Sequence, residues 1–121
     1  MRDNFSMNKR SILGLTESVI LHTNKGISKK LIARIDTGAT SSSIDKTLAS
    51  ELQLGPITRI KMIKSASGVG NRPIVIASVK IGKDIVEEEF TLADRKHMTY
   101  PLLIGQNILK KGRFLVDPLK K

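Results

Sequence analysis

The chain has 121 residues, 40% of them hydrophobic and only 3% aromatic, so it is long enough to bury a modest core made mainly of Ile, Leu and Val. The absence of cysteine excludes disulfides, thiolate zinc sites and a cysteine nucleophile, and two histidines far apart in sequence provide no cluster of metal ligands. The excess of 21 Lys and Arg over 11 acidic residues gives a formal charge of +10, which indicates either a polyanionic partner or a solvated, Lys-rich surface.

In chain order, residues 1–10 are polar and are expected to form a flexible segment ahead of one domain over residues 11–121. The segment has no signal-peptide core, and no stretch of the chain is long and apolar enough to cross a membrane. We therefore expect a cytoplasmic protein with no membrane contact.

The first elements form a hairpin. Residues 11–21 are rich in Ile, Leu and Val and predict a strand with a break near Thr16 and Glu17. A turn signal at residues 24–26 precedes a second strand over residues 30–35. That strand ends at Asp36, which opens the sequence Asp36-Thr37-Gly38-Ala39.

A helix is predicted next. Either Ser43 or Asp45 can cap its start, because both side chains can accept a hydrogen bond from a free backbone N–H. Ile44, Leu48 and Leu52 then recur at helical spacing, and Gly55-Pro56 ends the pattern.

In the rest of the chain, apolar and polar residues alternate over short segments that predict strands. Residues 57–63, 73–81, 85–92, 101–104 and 113–116 are predicted strands. A glycine-rich turn over residues 65–71 and a polar loop over residues 94–100 separate some of them, and residues 106–111 predict a short helix closed by Gly112. Many short strands with two short helices predict a mostly-β domain, closed or nearly closed into a barrel.

The Asp36-Thr37-Gly38 turn has the features of an acid-protease site. A strand delivers one carboxylate, Gly38 allows close backbone approach, and hydroxyls and amides follow directly. Aspartic proteolysis needs two carboxylates about 3 Å apart that share one proton. Because the chain has one such turn, this chemistry would require a homodimer with Asp36 in each protomer. The alternative is that Asp36 only accepts backbone hydrogen bonds and holds the turn together.

The order of these motifs resembles one lobe of a retropepsin, an acid-protease β-barrel with two short helices. The resemblance implies that the hairpin tip at Ser67, Gly68, Val69 and Gly70 is a flap over the substrate. It also implies that Leu102-Leu103-Ile104-Gly105 leads into the helix packed behind the catalytic turn.

A narrower family fits more of the chain. Residues 11–118 are similar to the RimK-associated retropepsin-like proteins, and residues 111–117 carry the most specific part of the match. The resemblance implies an aspartic peptidase acting on a protein or peptide, linked to ligases that add glutamates to proteins, including a ribosomal protein. Family members are often labelled ATP-dependent zinc proteases, but this chain has neither a P-loop nor a zinc ligand set, so we expect no cofactor and no metal.

Two positions depart from the family pattern. Basic residues are usual where this chain has Thr40 and Gln106, and in retropepsins those positions commonly form an ion pair. The two neutral residues either form a matched replacement that preserves the fold or mark a loss of activity.

Outside the turn, the candidate residues are of two kinds. Arg95 lies in a segment distinctive of the family and is a candidate substrate-binding residue, with a capped polar loop as the alternative. The second kind belongs to an alternative hypothesis for the function of the chain, an inactive retropepsin fold that binds ribosomal or other structured RNA through phosphate contacts. The residues for that role are Lys29, Lys30, Lys61, Lys64, Arg72, Lys110, Lys111 and Arg113.

Overall fold

The computed structural model describes residues 10–65 and 68–121. The strands in these ranges are β1 (Ile12–Leu13), β2 (Thr16–His22), β3 (Ser28–Ile35), β4 (Ser42–Asp45), β5 (Arg59–Ser65), β6 (Gly68–Ile81), β7 (Asp84–Ala93), β8 (Leu102–Ile104) and β9 (Leu115–Val116). The helices are α1 (Lys46–Glu51) and α2 (Gln106–Lys111). The predicted flexible segment over residues 1–10 lies, apart from Arg10, outside the described residues.

Six strands close into a barrel. They are hydrogen-bonded in the order β2, β3, β8, β4, β7 and β6, and β6 pairs back to β2. The seventh strand, β5, pairs with the first half of β6 as a hairpin that extends from the barrel. Strands β1 and β9 form a separate parallel pair. The prediction of a mostly-β barrel with two short helices is confirmed.

The barrel interior is aliphatic, as the composition predicts. Phe90 is the largest fully buried side chain, and Ile44, Leu102, Ile104 and Ile108 are fully buried as well. Strand β8 runs parallel to β3 and antiparallel to β4. This central placement brings the end of β3, where Asp36 follows, next to the start of α2.

The predicted first helix is confirmed with Asp45 as its cap, but Ser43 and Ile44 precede it in a strand. The segment Ser42–Asp45 is a fully buried strand, and the helix begins at Lys46 and ends at Glu51. Strand β4 pairs with both β7 and β8, and Ser42 and Thr91 form hydrogen bonds inside the barrel. Tertiary pairing therefore overrides the helical spacing of Ile44. Asp45 nevertheless caps the helix, because its side chain accepts a hydrogen bond from the Leu48 amide.

Two strand limits also differ from the prediction. The predicted turn over residues 65–71 is wrong at Ser65 and at residues 68–71, which are strand. Residues 66 and 67 lie outside the described ranges. The break in the first strand falls at Gly14 and Leu15 rather than at Thr16 and Glu17. In the described part of the chain, no helix has the length and hydropathy needed to span a membrane.

Candidate active site

The Asp36 turn is held by backbone hydrogen bonds at the end of β3. The Asp36 amide donates to the Ile104 carbonyl of β8 at 2.9 Å. The Gly38 amide donates to Asp36 Oδ1 at 2.9 Å, and the Ala39 amide donates to the Asp36 carbonyl at 3.3 Å. The side chain of Asp36 is half-buried. The carboxylate is therefore oriented by its own turn and still accessible.

The start of α2 packs directly behind this turn. A Cβ on Gly105 would lie only 2.2 Å from the Ser41 carbonyl oxygen, whereas a Cβ on Gly38 would lie 3.4 Å from Asp36 Oδ1, an ordinary contact. Steric contacts therefore require glycine at Gly105. At Gly38 a side chain would meet less crowding than the sequence suggested. The Gln106 amide donates to the Ala39 carbonyl at 2.8 Å and completes the junction.

Of the two neutral residues that depart from the family pattern, Gln106 contacts the Asp36 turn. Gln106 Nε2 donates to the carbonyl of Thr37 at 2.8 Å. Thr40 is exposed, and within residues 10–65 and 68–121 no hydrogen bond joins it to Gln106. In the described part of the chain, a direct hydrogen bond between the two neutral residues therefore does not take the place of the ion pair. The glutamine instead stabilises the turn through the backbone carbonyl of Thr37.

A cleft opens beside the turn. Its volume is about 380 Å³, and strand β5 forms one wall. Lys61 Nζ donates to Ser41 Oγ at 2.8 Å across it. The lining residues are Gly38, Ala39, Thr40, Ser41, Ser43, Lys61, Ile63, Arg72, Thr91, Arg95 and Leu103. Three of these are cations and none is acidic, so the cleft favours negatively charged groups.

Arg95 is the most buried of the three cations, with a relative exposure of 9%. Its Nε donates to the Tyr100 carbonyl at 3.1 Å and one terminal nitrogen approaches Ser43 Oγ at 3.5 Å. Burial lowers the pKa of Arg95 from its ordinary value, and the nearby charges of Arg34 and Arg72 lower it further. The guanidinium belongs to the cleft wall, where sequence reasoning placed it, and it is also anchored by the loop before β8.

The predicted flap is the β5–β6 hairpin. Gly68, Val69 and Gly70 are exposed residues of β6, and Ser67 lies outside the described residues. Opposed residues of an antiparallel pair share a face, and the register pairs Lys61 with Arg72 and Ile63 with Gly70. The hairpin therefore presents Lys61 and Arg72 to the cleft.

The residues proposed for RNA contact are distributed over three places. Lys29 and Lys30 are in β3; Lys61, Lys64 and Arg72 are in the hairpin; Lys110, Lys111 and Arg113 are in and after α2. All except the half-buried Lys61 are exposed. Lys61 and Arg72 line the cleft. For Lys61, the alternation of residues 57–63 could have indicated this position, since it places Lys61 and Ile63 on one side of a strand.

Solved structures share this fold. A Legionella pneumophila protein of unknown function, Lpg0085, is 23% identical with a TM-score of 0.61, over 92% of this chain and 95% of that one. The protease of simian foamy virus (mac) is 17% identical with a TM-score of 0.55, over 78% and 92%. The EIAV protease in complex with the inhibitor HBY-793 is 20% identical with a TM-score of 0.61, over 79% and 85%. These likenesses establish a retropepsin-like fold. No curated protein sequence matches the chain.

A family model fixes the relationship more closely. The model described as RimB-like, retropepsin-like aspartic endopeptidase RimB, matches residues 45–121, more than half of the chain. The match starts after the Asp36 turn, so it rests on the barrel and its C-terminal part. The chain belongs to the RimB-like family of retropepsin-like aspartic endopeptidases.

Proposed function

We propose that the protein is an aspartic peptidase that acts as a homodimer, with Asp36 of each protomer as the catalytic carboxylate. The observation that carries the proposal is the Asp36 carboxylate itself, accessible and held by the Gly38 amide at 2.9 Å beside a cleft covered by a hairpin. Thr37 and Gly38 shape the turn. The family and the fold support the same chemistry.

The reaction requires two of these carboxylates in contact. Two carboxylates about 3 Å apart cannot both ionise, so one keeps a proton. The ionised carboxylate takes a proton from a water molecule that attacks the scissile carbonyl, and the protonated one donates a hydrogen bond to the carbonyl oxygen. Asp36 of one protomer supplies one group and the partner subunit's Asp36 supplies the other.

The proposed substrate is an extended protein or peptide segment that lies between the Asp36 turn and the β5–β6 hairpin. Residues 67–70 would act as the flap that closes over it. Lys61, Arg72 and Arg95 line this cleft, so acidic side chains near the scissile bond would be favoured. The hydrogen bond from Lys61 to Ser41 must break when the substrate binds, because the Lys61 side chain crosses the cleft.

The test is Asp36→Asn, which keeps the size of the side chain and removes the ionisable group. We expect an unchanged far-UV circular dichroism spectrum and loss of cleavage of an unfolded acidic peptide by at least about a thousandfold. Asp94→Asn, at an exposed residue outside the cleft, is the matched control and should keep wild-type activity. Equal cleavage by the Asp36 variant and the wild type would exclude Asp36 as the catalytic group. The mass in solution tests the dimer.

RNA binding is a second candidate function, supported by the formal charge of +10 and the exposure of seven of the eight cations proposed for it. Phosphate contacts release counterions, so the affinity for structured RNA should fall steeply as salt rises. An affinity that does not respond to salt, or that is absent at physiological salt, would exclude this function. RNA binding requires neither a dimer nor the Asp36 carboxylate, so Asp36→Asn would leave the affinity for RNA unchanged.

A further inference from the structure

The side chain of Gln106 is connected to the carboxylate of Asp36 through one peptide group. Gln106 Nε2 donates to the Thr37 carbonyl at 2.8 Å. The Gly38 amide, which belongs to the same peptide group as that carbonyl, donates to Asp36 Oδ1 at 2.9 Å. In the described part of the chain, no other group donates a hydrogen bond to either acceptor.

This arrangement has a mechanical consequence. A trans peptide group is planar, with its carbonyl and its N–H pointing in opposite directions. A donor that fixes the carbonyl of Thr37 therefore also fixes the direction of the Gly38 N–H. Hydrogen bonds in series also polarise one another, so the bond from Gln106 strengthens the bond to the carboxylate.

We propose that Gln106 is a positioning residue for Asp36, acting through the Thr37–Gly38 peptide. The proposal rests on the proposed peptidase function only for its effect on catalysis. It concerns this chain in particular, because glutamine stands where a basic residue is usual in the family. Arg10, Lys110 and Arg113 line the neighbouring groove together with Gln106, so a neutral donor holds the turn without adding charge to a cationic wall.

Three variants separate the donor from the size of the side chain. Gln106→Glu replaces the donating nitrogen by an oxygen that repels the Thr37 carbonyl, and the nearby cations tolerate the added negative charge. Gln106→Met removes the donor without adding charge, should the first variant fail to fold. Gln106→Arg restores a donor. Gln53→Glu makes the same change at an exposed residue whose side chain forms no hydrogen bond in the described ranges.

The first measurement needs no substrate. In ¹⁵N-labelled protein, the Gly38 amide proton of the wild type should resonate downfield, because it is bound to a carboxylate, and should exchange slowly with solvent. Gln106→Glu and Gln106→Met should move this resonance upfield and speed its exchange about tenfold, and Gln106→Arg should restore both. A general loss of structure would instead disturb resonances throughout the barrel. An unchanged Gly38 resonance in the Glu and Met variants would overturn the proposal, and so would an Arg variant that behaves like them.

The second measurement is kinetic. Because Gln106 does not line the cleft proposed for the substrate, Gln106→Glu should lower kcat about tenfold with KM unchanged within about twofold, and Gln53→Glu should change neither. A variant that raised KM alone would contradict a role in positioning Asp36. If the wild type cleaved no peptide while the Gly38 resonance responded as expected, the peptidase proposal would fail and the role of Gln106 would stand.

Discussion

The two walls of the cleft are built in opposite ways. The Asp36 turn lies against β8 and α2 and is fixed by five backbone or side-chain hydrogen bonds that involve residues 36–39. The β5–β6 hairpin projects from the barrel with an exposed outer face, on which Met62 has a relative exposure of 66%. Two of its side chains form polar contacts with the rest of the protein, Lys61 with Ser41 and Arg59 with Glu89.

The contrast between a hydrogen-bonded turn and a projecting hairpin suits the two walls to different physical roles in the proposed function. The proposed function requires two Asp36 carboxylates about 3 Å apart, and such a pair needs a scaffold that does not move, since small displacements cost large factors in rate. A cover over a substrate must open, and a hairpin with few buried contacts opens at low free-energy cost. The predictions below test whether the turn is rigid and the hairpin is loose.

The largest effect is expected at the base of the turn. Gly105→Ala places a Cβ about 2.2 Å from the Ser41 carbonyl oxygen, which is backbone and cannot move aside. We expect the free energy of unfolding, measured in urea, to fall by about 3 kcal/mol or more. Gly70→Ala is the matched control in the hairpin, where a Cβ would meet nothing within 4 Å, and should change stability by less than about 0.5 kcal/mol. An equal loss of unfolding free energy in both variants would contradict the difference in packing between the two walls.

An intermediate effect is expected at Asp45, the buried last residue of β4, which caps α1. Its carboxylate accepts hydrogen bonds from the Arg95 amide at 2.9 Å and the Leu48 amide at 3.2 Å. Asp45→Asn should lower the free energy of unfolding by about 1–2 kcal/mol at neutral pH. Glu51→Gln, at an exposed residue on the same helix, is the control and should have little effect.

The same residue predicts a pH dependence. The hydrogen bond from the Arg95 amide is the main cause that lowers the pKa of Asp45 from its ordinary value. The stabilisation is therefore complete above the pKa of the unfolded chain, about pH 4, and is lost as the pH falls through the lower pKa of the folded state. The difference in stability between wild type and Asp45→Asn should shrink from pH 6 to pH 2. A constant difference over that range would contradict this origin.

The smallest effect is expected at the hairpin. Arg59 donates two hydrogen bonds to Glu89, at 2.8 and 3.2 Å, but both side chains are exposed to solvent. Exposed ion pairs contribute little because water screens them. Arg59→Met should leave the free energy of unfolding within error of the wild type and should speed amide exchange in β5 only. A loss as large as that of Asp45→Asn would mean that the hairpin is not loose.

Prediction from sequence worked best where the local pattern and the fold agree. Residues 106–111 are a helix as expected, because apolar spacing and Gly112 act locally. Prediction missed the strand Ser42–Asp45, in which three polar residues are buried, although Asp45 caps the helix as expected. Their hydrogen bonds come from Gly105, Arg95 and the Leu48 amide, and the first two partners are 50 residues or more away, so no local pattern reveals them.

The sequence by itself determined the barrel class, the hairpin that ends at Asp36, the excess of positive charge and the family resemblance. These properties depend on composition, on alternation and on short motifs that are read along the chain. Only the tertiary structure decided that Gln106 contacts Thr37 rather than Thr40, that Lys61 and Arg72 face the cleft, and that Arg95 is buried beside them. Each of these depends on which strands become neighbours, because a hydrogen bond or a shared cleft between distant residues exists only after the barrel has closed.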